Sequence, residues 1–378
     1  MKSWCLLYVF PLVLTVKFVG MFNVLVAVQR SELYDQDHLY ILILAGGSGT
    51  RLWPYSTEQC PKQLLTINNN QTLLEDTVER VSSLVPVERI WVVTTCAHEQ
   101  KIRDCVGARV GAIIAEPAAR NTGPAIAYCC LQIAQQDPQA VVLSVHADAY
   151  IPPEQTAQFV SCAHKALACV EQYDRICLLG VMPTYPATGY GYIEYEDVAG
   201  DETFKVTTFR EKPALEDAQR YVCQNNMLWN IGVFAASVSR FIQEFDRYAP
   251  ELMSGIRAFM SGQGSYSTVP NVAVDYAVIE KSSMVNVVPC VFSWCDVGNI
   301  AVFLSLKKKY AAENNMVLID AHNNLVDVPH KLVALIDVDD LCVVQTGDTL
   351  LITKKESAEK VRTLVAHLKD NNHLRHHL

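Results

Sequence analysis

From Tyr40 onward the chain alternates short, β-branched apolar runs with longer amphipathic stretches. Tyr40–Leu44, Ile90–Thr94, Ile113–Ala115, Val141–Val145 and Ile176–Leu179 read as buried strands, and Thr72–Ser82, Thr122–Gln135 and Gln155–Ala168 between them carry helical spacing. Strands alternating with helices predict an α/β domain on a mostly parallel, doubly wound sheet. After about Gly189 the rhythm changes to adjacent strand-like runs, Tyr190–Tyr195, Thr203–Arg210 and Trp229–Ala235, before further helices. A mixed-sheet region is therefore expected to complete the domain. A second change falls near Tyr310. Beyond it Val317–Ile319, Leu332–Ile336, Leu341–Gln345 and Leu350–Ile352 read as short strands, separated by turns such as Asn314-Asn315 and Asn323-Asn324 and followed by a helix over Ser357–Leu368. This β appendage carries no constellation that reads as chemistry, and packing or assembly is its expected role.

The first thirty or so residues are strongly apolar. Lys17 interrupts that run at a cost of about 2.5–3.5 kcal/mol for a membrane helix centre, and Pro11 breaks the half before it, so each half is too short to span. No A-x-A-like cleavage site follows. A dispensable extension with translation begun near Met21 is expected, over peripheral membrane attachment or a signal peptide. With 50% hydrophobic and 19% charged residues, the chain is neither disordered nor collagenous nor a coiled coil. Its 31 Lys and Arg against 40 Asp and Glu give a net charge of −9, which offers no footprint for nucleic acid. The 13 cysteines are odd in number and form no CxxC pair, which argues against a disulfide framework or zinc site and predicts reduced, mostly buried thiols of a cytoplasmic protein. His367, His373, His376 and His377 have no carboxylate or cysteine pattern beside them and read as a frayed, solvated tail.

The most informative stretch is a strand, Ile41–Leu44, running directly into Ala45-Gly46-Gly47-Ser48-Gly49-Thr50-Arg51-Leu52, with Pro54 and Pro61-Lys62-Gln63 downstream. Missing Cβ atoms let backbone N–H groups approach a polyphosphate and adopt positive φ. Arg51 and Lys62 supply fixed and mobile positive charge. Taken alone, such a turn is more often a tight connection than a nucleotide site. The Walker pattern G-x-x-x-x-G-K-[ST] is absent, and Leu52 stands where the dinucleotide fingerprint needs its third glycine, which speaks against a dehydrogenase.

The longer pattern, G-G-x-G-T-R-L-x-P with P-K-Q downstream, resembles the signature of the sugar-1-phosphate nucleotidyltransferases. Within that superfamily the chain is similar to the mannose-1-phosphate guanylyltransferases, the GTP-dependent makers of GDP-mannose, in their bacterial long form without the fused phosphomannose isomerase half. AGGSGTRLWPYSTEQCPKQ, EPAARNTGPAIA, HADAYI, ATGYGYIE, FREKP, WNIGVF, VDYAVIEKS and WCDVGN carry the resemblance in order, between about Leu42 and Leu368. LVALIDVDDLCVVQTGDTLLI is similar to the family's C-terminal β-helix region. The resemblance implies a Rossmann-like, GT-A-like doubly wound mixed sheet with a small β-helix-like domain. The expected division is an apolar extension over 1–38, a catalytic domain over 39–309 and the β-helix-like domain with its terminal helix over 310–378. A homodimer through the β appendage is implied, and isomerase activity is not.

The reaction implied is attack of the phosphate of mannose 1-phosphate on the α-phosphorus of GTP, with pyrophosphate leaving. Two anions must be held in line and their charge neutralised. By resemblance, Asp148 and Asp296 hold Mg²⁺, a hard ion suited to carboxylates, phosphates and water, and Arg51, Lys62 and Lys212 complete the catalytic charges. The implied nucleotide-binding residues are Leu44, Ala45, Gly46, Gly47, Gly49, Thr50, Arg51 and Lys62, with Glu116, Arg120, Asn121 and Thr122. Glu116, an acceptor only, suits the neighbouring N1–H and N2–H₂ donors of guanine. The implied sugar-binding residues are Gly189, Tyr190, Glu211, Lys212, Asn230, Gly232 and Asp275, with Glu211 on hydroxyls and Lys212 on the sugar phosphate. Outside the family frame, Asp148 and Asp296 are ordinary loop aspartates and Glu211-Lys212 a surface ion pair. Asp275 and Glu280-Lys281 either line the sugar site or pack the following helix.

Four positions depart from the family pattern: His146 before Asp148, Ala149 where a His is usual, Thr57 for an Arg, and Ile231 for a small polar residue. None removes a charge assigned to metal or phosphate, though Ala149 bears on metal-site orientation and Ile231 narrows the sugar pocket. Two other functions compete. A different pair, such as glucose 1-phosphate with UTP or dTTP, is disfavoured by RNTGPAI and WNIGVF, and a non-catalytic regulatory paralogue by the retention of Arg51, Asp148, Lys212 and Asp296.

Overall fold

Nine strands form one mixed sheet: β1 (Leu39–Leu44), β2 (Ile90–Thr95), β3 (Ala112–Glu116), β4 (Val141–His146), β5 (Ile176–Val181), β6 (Tyr192–Tyr195), β7 (Phe204–Arg210), β8 (Met227–Ser237) and β9 (Val285–Cys290). Their order is β3-β2-β1-β4-β8-β5-β9-β7-β6. The first four are mutually parallel, as the strand-helix alternation predicts. The antiparallel β8 joins them to β5, which pairs parallel with β9, and β6 and β7 run antiparallel to each other. The chain is described here from a computed structural model covering residues 7–9, 12–14, 36–47, 49–67, 71–198, 200–309 and 316–378. Leu7–Val9 and Leu12–Leu14 pair antiparallel in a separate unit, Met1–Leu33; Pro11, Lys17 and Met21, and the Asn314-Asn315 turn with Tyr310, lie outside the described residues. Among the described residues no helix is long and apolar enough to cross a membrane.

Helices α1 (Leu73–Val81), α2 (Glu99–Val106), α3 (Thr122–Gln136), α4 (Thr156–Tyr173), α5 (Leu215–Val222), α6 (Val238–Tyr248), α7 (Pro250–Met260) and α8 (Ile300–Lys308) surround the sheet. Thr72 starts α1 with a full capping box to Glu75. The end expected for α4 at Ala168 falls short, because Cys169 and Val170 continue its buried face and the helix stops only at Asp174, with φ +46°. Alternate residues of β1 feed opposite core layers: Leu39, Ile41 and Ile43 pack with Val78 and Phe159, while Leu42 and Leu44 pack with Ile126 and Phe241.

The C-terminal part is β-helix-like. β10 (Met316–Ile319) pairs parallel with β11 (Val333–Ile336), offset by 17 residues. The same offset relates Leu325–Asp327 to β12 (Leu341–Thr346), which also pairs antiparallel with β13 (Thr349–Lys354). Corner residues repeat at that spacing too: Asp320 and Asp337, and Asn323 and Asp340, all have positive φ, a conformation Asn and Asp tolerate better than other side chains. The final helix α9 (Val361–Asp370) buries Val361, Val365 and Leu368 against Leu52, Trp53 and Phe303 of the main domain. His367, His373 and His376 are exposed as expected, but the chain end is held and not frayed, with His377 half-buried and Leu378 buried. The Trp53 indole donates to the His377 carbonyl (2.9 Å), Glu58 N–H donates to the Leu378 carbonyl (2.8 Å), and the β12–β13 turn brings Asp348 beside His376 and His377. No disulfide is present among the described cysteines, most of which are buried.

Candidate active site

The glycine loop leaves the carboxyl end of β1, where open α/β sheets bind ligands. The Ala45 carbonyl is fixed by the Gln63 amide (2.7 Å) and the Thr94 hydroxyl (3.0 Å), so the loop starts from a rigid point. Gly49 adopts φ +62°, and a Cβ there would lie 2.5 Å from Lys62 Cβ. Glycine is thus required for conformation and for close packing on the lysine.

Two loops meet behind it. Tyr150 and Cys295 exchange backbone hydrogen bonds (2.8 and 2.9 Å), which brings Asp148, just past β4, beside Asp296. The Lys62 ammonium lies between them, 3.0 Å from Asp148 Oδ2 and 3.8 Å from Asp296 Oδ1, and donates to the Asp296 carbonyl at 2.5 Å. Burial pushes the Asp148 pKa up, but Lys62, helped by His146, more than offsets it and holds the carboxyl below its ordinary value. Asp296 moves the other way: burial, reinforced by the Asp148 charge, raises it against the pull of Lys62. One cation already serves both carboxylates, and their hard oxygen donors fit a divalent ion.

Two cavities, of about 570 and 290 Å³, share His146, Asp148, Asn121 and Thr122 on their walls. Leu44, Ala45, Gly46, Gly47, Glu116 and Arg120 line the smaller one. Gly189, Tyr190, Glu211, Lys212, Asn230, Gly232 and Asp275 line the larger, together with Arg51 and Asp296. Gly49 and Thr50 line neither. Arg51 stands apart from the residues of the smaller cavity and pairs with Glu359 at 3.1 Å, so the β appendage, from which no chemistry is expected, contributes a side chain to the cavity wall.

In the larger cavity Lys212 Nζ donates to Glu211 Oε1 (2.7 Å), while Glu211 Oε2 is buried with no hydrogen-bond partner among the described residues. Burial, with the Asp275 charge, raises the Glu211 pKa, and Glu211 in turn lifts Lys212 against its own burial. A register shift in β8 between Asn230 and Phe234 turns Asn230 toward Asp275, whose carboxylate accepts from the amide at 2.8 Å. Burial raises the Asp275 pKa. Asp275 lines the cavity, whereas Glu280 and Lys281 do not. Ile231 and Ala149 are both buried on its wall, and Thr57 only closes a turn, accepting from Gln59 and Cys60 N–H.

In the smaller cavity Glu116 is 4% exposed and accepts from the Tyr266 hydroxyl. Burial raises its pKa to about 7 despite that donor. Arg120 donates to the Ser267 carbonyl. Sequence reasoning named Tyr190 but missed Tyr185 and Trp294 beside it on the wall of the larger cavity, where Tyr190 meets Trp294 edge-on (5.1 Å), and also Gly191, Asn299, Glu359 and Tyr266. His146 drew notice only as a departure, although its position two residues before Asp148 was the available signal.

Residues 40–313 match the family model described as nucleotidyl transferase. The chain belongs to this family. Residues 314–368 match that of the mannose-phosphate isomerase/GMP-like β-helix domain. This nucleotidyltransferase is 32% identical over 365 residues to the mannose-1-phosphate guanylyltransferase of Escherichia coli K12, covering 89% of this chain and 75% of that protein. It is 31% identical over 346 residues to the xanthan biosynthesis protein XanB of Xanthomonas campestris, covering 87% and 73%. Among solved structures, one named as a mannose-1-phosphate geranyltransferase from Thermus thermophilus aligns with a TM-score of 0.76 and 29% identity, over 88% of this chain and 99% of that one. These relatives place the nucleotidyltransferase on the mannose-1-phosphate guanylyltransferase branch of its family.

Proposed function

We propose that this nucleotidyltransferase transfers GMP from GTP to α-D-mannose 1-phosphate, giving GDP-mannose and pyrophosphate. The observation that carries the reading is the meeting of two cavities at Asp148, one ending on a buried carboxylate and the other lined by polar groups suited to a sugar. Guanine enters the smaller cavity, where Glu116 accepts from N1–H and N2–H₂, and the glycine loop leads the triphosphate toward Asp148. Gly46 faces open space, which leaves its backbone accessible to a phosphate. Mannose 1-phosphate occupies the larger cavity. There the unpaired Glu211 oxygen accepts from a hydroxyl, Asn230 and Asp275 hold others, and the left-handed Lys212 neutralises the sugar phosphate.

The sugar phosphate is already ionised, so attack on the α-phosphorus needs no general base. The chain's own work is alignment and charge neutralisation by Lys62, Lys212 and Arg51. Enzymes of this family work with a divalent metal. We assign Mg²⁺ to Asp148 and Asp296, where it supplies charge stabilisation at the transferring phosphate. For the domains we propose the division at about residue 310, and for the assembly a homodimer through the β appendage, whose Leu332, Ile336 and Ile352 are exposed. The test is pyrophosphate release with GTP, UTP or dTTP against mannose 1-phosphate or glucose 1-phosphate. Turnover confined to the GTP and mannose 1-phosphate pair supports the assignment. Preference for another pair overturns it.

A further inference from the structure

One segment is tied to the base-side loop at four points. Between α7 and the π-helical turn Asp275–Ile279, the Tyr266 hydroxyl donates to Glu116 and the Ser267 carbonyl accepts from Arg120. The Val272 carbonyl accepts from Gly123 N–H (3.1 Å), and Val274 N–H donates to the Thr122 hydroxyl (3.0 Å). Tyr266 itself is 1% exposed, with its ring edge-on to Phe259 (5.1 Å) and Tyr128 (5.9 Å). Packing accounts for the ring, but it does not account for a phenol whose hydroxyl is spent on a buried carboxylate in the cavity wall.

We propose that Tyr266 is a positioning residue for base recognition: its hydroxyl occupies one oxygen of Glu116, keeps the group an acceptor, and so makes the cavity select guanine although Tyr266 does not touch the nucleotide. This rests on the reading of Glu116 as the guanine-binding group. An ionised carboxylate presents only acceptors, which match the two adjacent donors of guanine. A protonated carboxyl presents one donor and one acceptor, which instead match N3–H and O4 of uracil. Glu116 sits at the balance between these forms, since burial raises its pKa to about 7 and the Tyr266 donor opposes that rise. The other groups facing it do not take over this task. Tyr128 and Cys129 of α3 both have raised pKa values and stay neutral, and Arg120 is engaged by Ser267.

The test is calorimetric binding of GTP and of UTP between pH 6 and 9 to the full chain, to Tyr266→Phe and to Glu116→Gln, with thermal melts as a folding control. For the native protein, GTP binding tightens as pH rises through about 7. Tyr266→Phe keeps the ring contacts and moves that rise up by about one pH unit, lowering the GTP-over-UTP ratio about tenfold at pH 7, so that the variant needs about one pH unit more to reach the native ratio. Glu116→Gln lowers the ratio at every pH. If Glu116→Gln relaxes the preference and Tyr266→Phe moves neither the pH dependence nor the ratio, Tyr266 only fills space and the proposal fails alone. If Glu116→Gln leaves the preference intact, the reading of Glu116 fails and takes the proposal with it.

Discussion

A few residues in this site are held where folding alone does not favour them. Gly49 needs a left-handed backbone and touches Lys62, so Gly49→Ala should cost about 1–3 kcal/mol and displace the lysine. A chemical melt checks the first part, and a loss of pyrophosphate release larger than the loss of fold checks the second. Glu116 carries a similar cost. As an acid whose folded pKa is raised to about 7, it has no effect on stability below its unfolded value and destabilises the fold fully above pH 7, once ionised. Glu116→Gln should therefore stabilise the protein by about 1–3 kcal/mol at pH 8 and hardly at all at pH 4. Melts at the two pH values decide this, and a variant weaker at pH 8 contradicts it. The roles expected of Asp148 and Lys62 came from the family motifs that hold them; outside that frame Asp148 reads as an ordinary loop aspartate. The meeting of Asp148 with Asp296 was not legible, because the Tyr150–Cys295 bridge that brings their loops together joins segments far apart in the chain.

At the scale of elements, the sequence pattern located every strand of the parallel half within two residues, because central parallel strands are apolar on both faces and stand out. It passed over β9, where Pro289 and the buried Asn286 interrupt the apolar run. The bend in β8 was passed over as well, although Gly232 inside the strand pattern, which adopts φ +72°, was a local sign of the register shift between Asn230 and Phe234. In the β-helix-like part, the Asn323-Asn324 turn was visible, but its load is not evident from composition. Asn324 is 4% exposed, donates to the Val338 carbonyl (2.9 Å) and accepts from Leu341 N–H (2.8 Å), joining successive coils. Asn324→Ala leaves both groups unpaired and should cost about 1–3 kcal/mol in a denaturant titration. A change within a few tenths of that unit would remove the asparagine from the account.

For the molecule from Tyr34 onward, the notable feature is that the appendage and the catalytic loop share a core. Leu52 and Trp53, directly after Arg51, pack with Val361, Val365 and Leu368 of α9, and Glu359 grips both Arg51 (3.1 Å) and Asn299 (2.9 Å). Unfolding the appendage should thus release the phosphate-binding loop. Val365→Asp, which buries an unpaired charge in that core, should destabilise by several kcal/mol and lower the melting of the whole chain in one transition. Two separate transitions, with the main domain unaffected, would show the units to be independent. None of this coupling could be read from periodicity, which treats each segment alone. Family-ordered motifs identified the parts, and long-range packing determined how they meet.

The central claim is that Asp148, at the junction of the two cavities, serves transfer rather than binding. The most direct measurement is GDP-mannose formation from GTP and mannose 1-phosphate with Mg²⁺, for the native chain and for Asp148→Ala, with GTP binding followed in parallel. The account predicts product from the native chain alone, a loss of about a thousandfold or more in the variant, and GTP binding weakened far less than turnover. Native-like turnover by Asp148→Ala, or no product from the native chain despite GTP binding, would contradict it.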